Sequence, residues 1–260
     1  RVRAVEELDE QFRAISEAHA GTYGVAVFDP YSGESASLNA DRRFVAASLS
    51  KLYALLTLYR AASRGELSLD DEITMRASDV WAEGTGVLYR YPVGTTMTLR
   101  ECARFLIKES DNTAEVMLNR YLGEEEIEAE LERVGARSTS YWMPNTTTPN
   151  DVLLVLKAIA DPSYTSPDLS AEMLDVMTGT AFEDRLPQPL PEGIRVAHKI
   201  GSYESTFSDA GIVFPAERGG VGQEYFIVVF SEGATEGEAR QTIQEASLAA
   251  YRALAAPEAR

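Results

Sequence analysis

Residues 49–59 are apolar at nearly every position, so a helix over this run has large side chains on all sides. Such a helix offers no face to water and must lie at the centre of the protein. Two polar residues, Ser48 and Lys51, stand at its start, three positions apart and therefore on one face. A lysine in that position must be paired or functional, because an unpaired buried charge costs several kcal/mol or more.

The pair Ser48 and Lys51 has two interpretations. A serine hydroxyl needs a base to become a nucleophile, and an amine in a dry pocket can be that base, because burial lowers its pKa. The same Ser-x-x-Lys spacing also occurs by chance at solvated helix starts. Lysine is scarce here, since only Lys51, Lys108, Lys157 and Lys199 occur among 24 basic residues, which makes each lysine more informative.

The order of predicted elements defines the fold class. Apolar spacing predicts a helix, two strands, a long run of helices, three strands and a closing helix. The predicted strands are 23–28, 35–38, 194–200, 209–214 and 225–230, with Gly219-Gly220 in the last turn. These strands can form one sheet only if the two ends of the chain meet.

The sequence therefore predicts an α+β fold with three layers, α/β/α, in one domain over residues 1–260. A five-stranded antiparallel sheet from both chain ends, flanked by the terminal helices, forms a sheet subdomain of residues 1–45 and 190–260. An all-helical subdomain comprises residues 46–189. Thr98 with Glu101 and Thr235 with Glu238 have the spacing of capping boxes and mark two helix starts.

Composition excludes several classes of function. The net charge of −17 argues against nucleic acid and anionic membranes as partners, because both attract basic patches. No apolar run has the length of a membrane span. Cys102 lies in an apolar run and is expected to be buried. His19 and His198 have no ligand spacing, so neither a metal nor another cofactor is expected. The chain begins Arg1-Val2-Arg3 without a visible secretory signal, which says little about export.

Three motifs occur in order along the chain. Ser48-x-x-Lys51 starts the apolar helix, Ser110-Asp111-Asn112 separates two predicted helices, and Lys199-Ile200-Gly201 ends a predicted strand. Each motif is common by itself, but the set is highly specific in this order of elements. The chain resembles the class A serine β-lactamases and their relatives among the penicillin-binding proteins. The resemblance extends from about Gly21 to Leu254 and implies the β-lactamase and transpeptidase fold.

The resemblance implies acyl transfer. Ser48 attacks a carbonyl carbon and becomes an ester, and Lys51 accepts its proton directly or through water. Ser110 passes a proton to the leaving nitrogen, while Asn112 orients Lys51 and binds the substrate amide. Lys199 supplies positive charge near Ser110 and the substrate carboxylate. The middle residue of the Ser-Asp-Asn motif is expected to brace its turn and take no part in the chemistry.

The strand motif is implied to bind substrate through Ile200, Gly201 and Ser202. The backbone N–H groups of Ser48 and Ser202 form the implied oxyanion hole. The family usually has Thr or Ser where this chain has Ile200, so a hydroxyl that would bind the substrate carboxylate is missing. This loss is expected to weaken binding of an ordinary penicillin by roughly 1 to 3 kcal/mol. Lys199 and neighbouring hydroxyl groups are then expected to meet the carboxylate.

A second departure concerns the loop that precedes Thr146-Thr147-Thr148-Pro149. In class A lactamases a glutamate on this loop activates the water that hydrolyses the acyl-enzyme. Here the loop is shortened to residues 141–145, no glutamate lies between Gly135 and Pro149, and the nearest upstream is Glu132 in a helix. The ester is therefore expected to persist unless another group acts. This favours the penicillin-binding relatives that act on D-alanyl-D-alanine peptides.

The sequence thus predicts a penicillin-recognising serine hydrolase that is acylated at Ser48 by β-lactams or D-Ala-D-Ala-like peptides and deacylates slowly. The alternative is a non-catalytic module on the same fold that binds β-lactams or peptidoglycan. The expected partner is a small β-lactam or a peptidoglycan stem peptide, and the expected state is a monomer. The resemblance implies an extracytoplasmic location, in the periplasm, at the cell envelope or secreted.

Overall fold

The computed structural model describes residues 2–142, 145–215 and 224–255. Its helices are α1 (Val2–Ala18), α2 (Ser50–Ser63), α3 (Leu99–Lys108), α4 (Asn112–Leu122), α5 (Glu124–Val134), α6 (Pro149–Ala160), α7 (Pro167–Val176) and α8 (Glu236–Leu254). Its strands are β1 (Thr22–Asp29), β2 (Glu34–Leu38), β3 (Phe44–Val45), β4 (Glu72–Thr74), β5 (Thr96–Thr98), β6 (Thr146–Thr147), β7 (Arg195–Tyr203), β8 (Thr206–Phe214) and β9 (Tyr225–Glu232).

The main sheet is antiparallel and has the strand order β2-β1-β9-β8-β7. Strand β1 from the start of the chain pairs with β9 from its end, with Val25 opposite Val229. The edges are β2 and β7, so the helical middle of the chain connects one edge of the sheet to the other. This arrangement confirms the predicted five-stranded sheet built from both chain ends.

Helices cover both faces of the sheet. On one face α1 and α8 bury Leu8, Phe12 and Ile243 against sheet residues such as Val27 and Val229. On the other face α6 packs against β1, β9 and α2, and it belongs to the larger core. The protein therefore has the three-layer α+β architecture that the sequence predicts.

Helix α2 is enclosed, as its composition requires. Leu52, Tyr53, Leu55 and Leu58 are each no more than 1% exposed. Burying a side chain of this kind stabilises the folded state by about 1.5–3 kcal/mol relative to leaving it in water. Helices α3 to α7 all pack against α2, so any group that α2 carries is held in a rigid frame.

The turn before α2 differs from the predicted helix start. The α-helix begins at Ser50, and Ser48 lies in the 3₁₀ turn Ala47–Leu49 that precedes it. Ala47 has φ +49°, a left-handed conformation that is uncommon for a residue with a Cβ. Ser48 is therefore presented at the N-terminal end of the buried helix and not within its regular turns.

Strands β7 and β8 are longer than predicted, and this changes the position of Lys199. β7 runs to Tyr203 and β8 begins at Thr206, which leaves a two-residue turn between them. Glycine and polar residues follow the predicted end at residue 200, but pairing with β8 continues through them. Lys199 therefore lies within the strand. The predicted turn at Gly219-Gly220 lies outside the described residues.

Both predicted capping boxes are present. Thr98 Oγ1 accepts a hydrogen bond from the Glu101 N–H at 3.1 Å, and Thr235 Oγ1 accepts one from the Glu238 N–H at 3.3 Å.

Cys102 is buried, as predicted, and burial raises the pKa of its thiol. Within the described ranges no helix is both long and apolar enough to cross a membrane. The subdomain boundaries 1–45 with 190–260 and 46–189 stay a prediction.

Candidate active site

The three motifs meet at one cavity of about 820 Å³. The cavity lies where the turn before α2, the start of α4 and strand β7 come together. Its lining includes residues of all three motifs, namely Ser48, Ser110, Asn112, Ile200 and Ser202. Lys51 and Lys199 lie behind this lining, each no more than 1% exposed, and both hydrogen-bond to it. The motifs are therefore neighbours in space although far apart in sequence.

Lys51 has three oxygen partners. Its Nζ donates to Ser48 Oγ at 2.8 Å and to Asn112 Oδ1 at 2.7 Å. Glu115 Oε2 lies 3.2 Å from the same nitrogen. Ser48 and Lys51 are thus in direct contact, which is the geometry that a nucleophile and its base require.

Glu115 is a residue of this site that the sequence analysis missed. Its Oε1 accepts a hydrogen bond from Ser50 Oγ at 2.7 Å, and its side chain lines the cavity. One signal was available, because Glu115 follows Asn112 by three positions and the two residues share a face of α4. The site therefore contains a carboxylate, although it does not come from the shortened loop.

Lys199 and Ser110 form a second pair. Lys199 Nζ donates to Ser110 Oγ at 2.8 Å and to the carbonyl oxygen of Ile200 at 2.9 Å. Burial, and then the charge of Lys51, hold the pKa of Lys199 well below its usual range. Lys199 and Ser110 are thus a hydrogen-bonded pair of proton-bearing groups beside the cavity.

Asp111 braces the second motif, as expected. Its Oδ1 accepts from the Ala114 N–H at 3.0 Å and caps α4, while its Oδ2 accepts from the N–H groups of Val87 at 2.5 Å and Leu88 at 2.8 Å. Gly86 has φ +120°, and a Cβ there would lie 2.5 Å from the Asp111 carboxylate. Only glycine fits at position 86 of this loop. The hydrogen bonds from Val87 and Leu88 to Asp111 fasten the loop to the start of α4.

Gly201 allows β7 to approach the turn that carries the nucleophile. A Cβ at this position would lie 2.6 Å from Ser208 Oγ and 2.9 Å from the carbonyl oxygen of Ala46. Contacts this short do not occur in practice, so a larger residue would move the turn or the strand. Glycine therefore lets β7 approach the turn of Ser48 next to Ser202, and both serines line the cavity.

Arg185 is a second site residue that the sequence analysis missed. It is 3% exposed and donates to the carbonyl oxygens of Gly201 at 2.8 Å and Ser208 at 2.6 Å, and to Ser202 Oγ at 2.6 Å. Its guanidinium thus adds positive charge beside the third motif, where the cavity is lined by Ile200. Arg185 comes from the loop after α7, whose position no periodicity in the sequence predicts.

His198 fixes this loop to the sheet. Its Nδ1 lies 2.9 Å from Asp209 Oδ1 and its Nε2 lies 3.2 Å from Glu183 Oε1. Burial lowers the pKa of His198, but Asp209 and then Glu183 outweigh burial and raise it to about 9. At neutral pH the imidazolium therefore donates to both carboxylates.

In the described part of the chain no group of three or more His, Cys, Asp or Glu side chains is arranged to hold a metal ion.

The shortened segment before α6 supports the nucleophile from another side. Residues 143–144 lie outside the described residues. The backbone carbonyl of Asn145 accepts from the Ala46 N–H at 3.1 Å, and its Nδ2 donates to the Ala47 carbonyl at 3.1 Å. The segment holds the turn of Ser48 in place, but residues 136–148 include no glutamate or aspartate.

Known proteins resemble this chain in sequence and in fold. Residues 7–254 match the family model described as the β-lactamase enzyme family. A β-lactamase of Amycolatopsis lactamdurans is 30% identical over 150 residues, 56% of this chain and 48% of that protein. The chain therefore spans about half the length of that relative.

Solved structures resemble the whole fold. A mutant of PBP-A, described as an acyl-enzyme complex with penicillin G, is 27% identical with a TM-score of 0.88, and 96% of each chain is covered. A β-lactamase from Sphaerobacter thermophilus is 29% identical with a TM-score of 0.85, covering 96% of this chain and 97% of that one.

Proposed function

This chain belongs to the β-lactamase enzyme family of serine hydrolases, and we propose that Ser48 is its nucleophile, acylated by β-lactams or by D-Ala-D-Ala-like peptides. One observation carries the proposal. Ser48 Oγ lies 2.8 Å from Lys51 Nζ at a cavity where Lys199 and Ser110 form a second proton-transferring pair. The acyl-enzyme of PBP-A with penicillin G supports the same chemistry.

Acylation requires two proton transfers. As Ser48 Oγ bonds to the carbonyl carbon, its proton passes to Lys51, which accepts it in its unprotonated form and is held in place by Asn112 Oδ1. As the C–N bond breaks, the nitrogen takes the proton of Ser110, and Lys199 replaces that proton. Both pairs are already at hydrogen-bonding distance, so the transfers need no rearrangement of the protein.

The substrate's charges also have partners. The backbone N–H groups of Ser48 and Ser202 are proposed to stabilise the oxyanion, an interaction that is typically worth about 3 kcal/mol per donor. Lys199 and Arg185 supply positive charge for the substrate carboxylate. Ile200 supplies no hydroxyl there, so binding of an ordinary penicillin is proposed to be weaker than in relatives that have one.

Deacylation is proposed to be slow, because the shortened loop contributes no carboxylate to activate water. The partner is then a small β-lactam or a peptidoglycan stem peptide, and the location extracytoplasmic. These proposals follow from the chemistry of the site and the family. They favour formation of a long-lived acyl-enzyme over rapid hydrolysis of β-lactams.

A chromogenic cephalosporin tests this function. The wild-type protein should release chromophore in a burst equal in amount to the protein, followed by a slow steady rate, and Ser48→Ala should show no burst. Fast steady turnover would contradict slow deacylation and would indicate an efficient lactamase.

A second candidate is a binding module without turnover, favoured by Ile200 and by the missing loop glutamate. It predicts no burst at all and equal binding of penicillin by wild type and Ser48→Ala. The complete set of Ser48, Lys51, Ser110 and Lys199 contacts favours the enzyme instead.

A further inference from the structure

The site contains a carboxylate that the steps of acylation do not use. Glu115 lies on α4, and its side chain is 11% exposed, whereas that of Lys51 is 1% exposed. Glu115 lines the cavity, so its exposed part faces the space in which a substrate would lie. The side chain of Glu115 therefore borders the space that water can enter.

Two contacts fix the orientation of the Glu115 carboxylate. Ser50 Oγ donates to Oε1 at 2.7 Å, and Lys51 Nζ lies 3.2 Å from Oε2. The same Nζ is 2.8 Å from Ser48 Oγ, so a single amine separates the carboxylate from the nucleophile. Glu115 and Ser48 thus share Lys51 as a neighbour, so a water molecule in the cavity that donates to Glu115 would lie close to an ester at Ser48.

We propose that Glu115 is the base that takes a proton from the hydrolytic water when the Ser48 ester is cleaved. The inference rests on the proposed acylation of Ser48 and names the group that ends it. It assigns to helix α4 the role that the loop before α6 does not fill in this chain.

The step balances in atoms and charges. The water oxygen bonds to the ester carbon, and the water proton passes to the Glu115 carboxylate. As the bond between the carbon and Ser48 Oγ breaks, Lys51 gives its proton to Oγ, and the acyl group leaves as a carboxylic acid. Glu115 then gives its proton to Lys51, and transfer of a proton from Lys51 to Lys199, which lost one during acylation, restores the starting state.

A purely structural role for Glu115 explains the geometry less well. Lys51 already donates to Ser48 and Asn112, and a buried ion pair is by itself weak evidence for stability. The contacts with Ser50 and Lys51 also occupy part of the carboxylate, so water must compete for it. Competition of this kind agrees with a slow deacylation step.

The test follows the decay of the penicillin G adduct by intact-protein mass spectrometry, in wild type and Glu115→Gln. The variant should be acylated within about 3-fold of the wild-type rate, but its adduct should last at least about 10-fold longer, since a general base typically contributes 10²- to 10⁴-fold. Glu83→Gln is the matched control, because it removes the same charge from the same cavity lining and keeps the Glu83 backbone.

A pH series adds a readout that a structural role would not change. A general base acts only while it holds no proton, so wild-type decay should accelerate as the pH rises, and Glu115→Gln should lack that rise. Among the described residues, the titratable groups that interact with Glu115 are Lys51 on α2, Lys199 on β7 and Tyr141 before α6, and all three are unchanged in the variant.

Adduct decay at the wild-type rate in Glu115→Gln would overturn the assignment. An equal slowing of the acylation rate and of the adduct decay rate would also overturn it. If Glu115→Gln does not fold, Ser50→Ala removes the hydroxyl that orients the carboxylate without changing a charge. It should slow decay about 3-fold or more, since a misplaced base loses part of its effect, and unchanged decay would again overturn the proposal. Absence of any adduct on wild type would instead refute the acylation of Ser48.

Discussion

His198 shows how a single buried residue supports this site without touching substrate. It lies next to Lys199 on β7 and is paired with Asp209 and Glu183. Glu183 and Arg185 belong to one loop, so the ionised histidine holds the loop that positions the guanidinium beside the cavity. Its contribution therefore depends on pH.

The raised pKa of His198 predicts a loss of stability at alkaline pH. A group whose pKa rises from 6.5 to about 9 on folding stabilises the protein fully below pH 6.5 and loses this effect as the pH rises through 9. The loss is on the order of 3 kcal/mol. Urea unfolding at about pH 6 and pH 9.5 should show this decrease in wild type, and a much smaller one in His198→Asn. Equal pH dependence in both proteins would contradict the assignment.

A substitution at Ile200 gives a second prediction for a single residue. Restoring a hydroxyl in Ile200→Thr should speed acylation by a penicillin about 10-fold, which corresponds to 1 to 2 kcal/mol of regained hydrogen bonding to the carboxylate. Ile200→Val is the matched control, because valine has the shape of threonine without the hydroxyl. Stopped-flow acylation rates that do not differ between the two variants would show that residue 200 does not meet the carboxylate.

Among the structural elements, the contact between β7 and the turn before α2 has the largest consequence for the site. This contact depends on Gly201, which leaves no room for a side chain against Ser208 and Ala46. Both proposed oxyanion donors, the N–H groups of Ser48 and Ser202, depend on it. Element placement, and not only residue identity, thus determines whether the site can act.

The substitution Gly201→Ala should therefore impair the site and the fold together. The added methyl group should destabilise the protein by roughly 1–3 kcal/mol through overpacking. By displacing the turn of Ser48 it should slow acylation about 10-fold or more. Gly237→Ala is the control, since that glycine has nothing within 4 Å of its Cβ position. Thermal unfolding and acylation rates measure both effects, and a Gly201→Ala protein that acylates normally would show that this close approach is not needed.

Local signals in the sequence predicted the elements well and the side-chain network poorly. Apolar spacing located α2 and the sheet strands, and the capping boxes located α3 and α8, because these signals act within a few residues. The two-residue strands β3 and β6 are too short to show a period. The contacts of Arg185 and His198 are between residues that lie far apart in the sequence and meet only in the folded chain. Glu115 was accessible to helical spacing, but one carboxylate on a helix face has no distinguishing pattern.

At the scale of the whole molecule, the sheet joins the two ends of the chain, and the helical middle of the chain connects the two edges of the sheet. Helix α6 from the middle packs on β1 and β9, and α2 packs against α6, so the predicted subdomains share one core. We therefore expect the protein to unfold as one unit.

This expectation can be measured with two probes. The two tryptophans, Trp81 and Trp142, both line the cavity and report on the site. Far-UV circular dichroism reports on all helices and strands. The urea transitions from both probes should coincide. A fluorescence transition at lower urea would show that the helical middle unfolds separately.

The central claim is that Ser48 forms a covalent ester, and intact-protein mass spectrometry after exposure to penicillin G tests it directly. Opening of the lactam ring adds the whole penicillin, so wild type should gain its full mass once per chain, and the adduct should persist long after excess penicillin is removed. Ser48→Ala should gain nothing. A wild-type protein that binds penicillin with no gain in mass, or an equal gain on Ser48→Ala, would contradict the account.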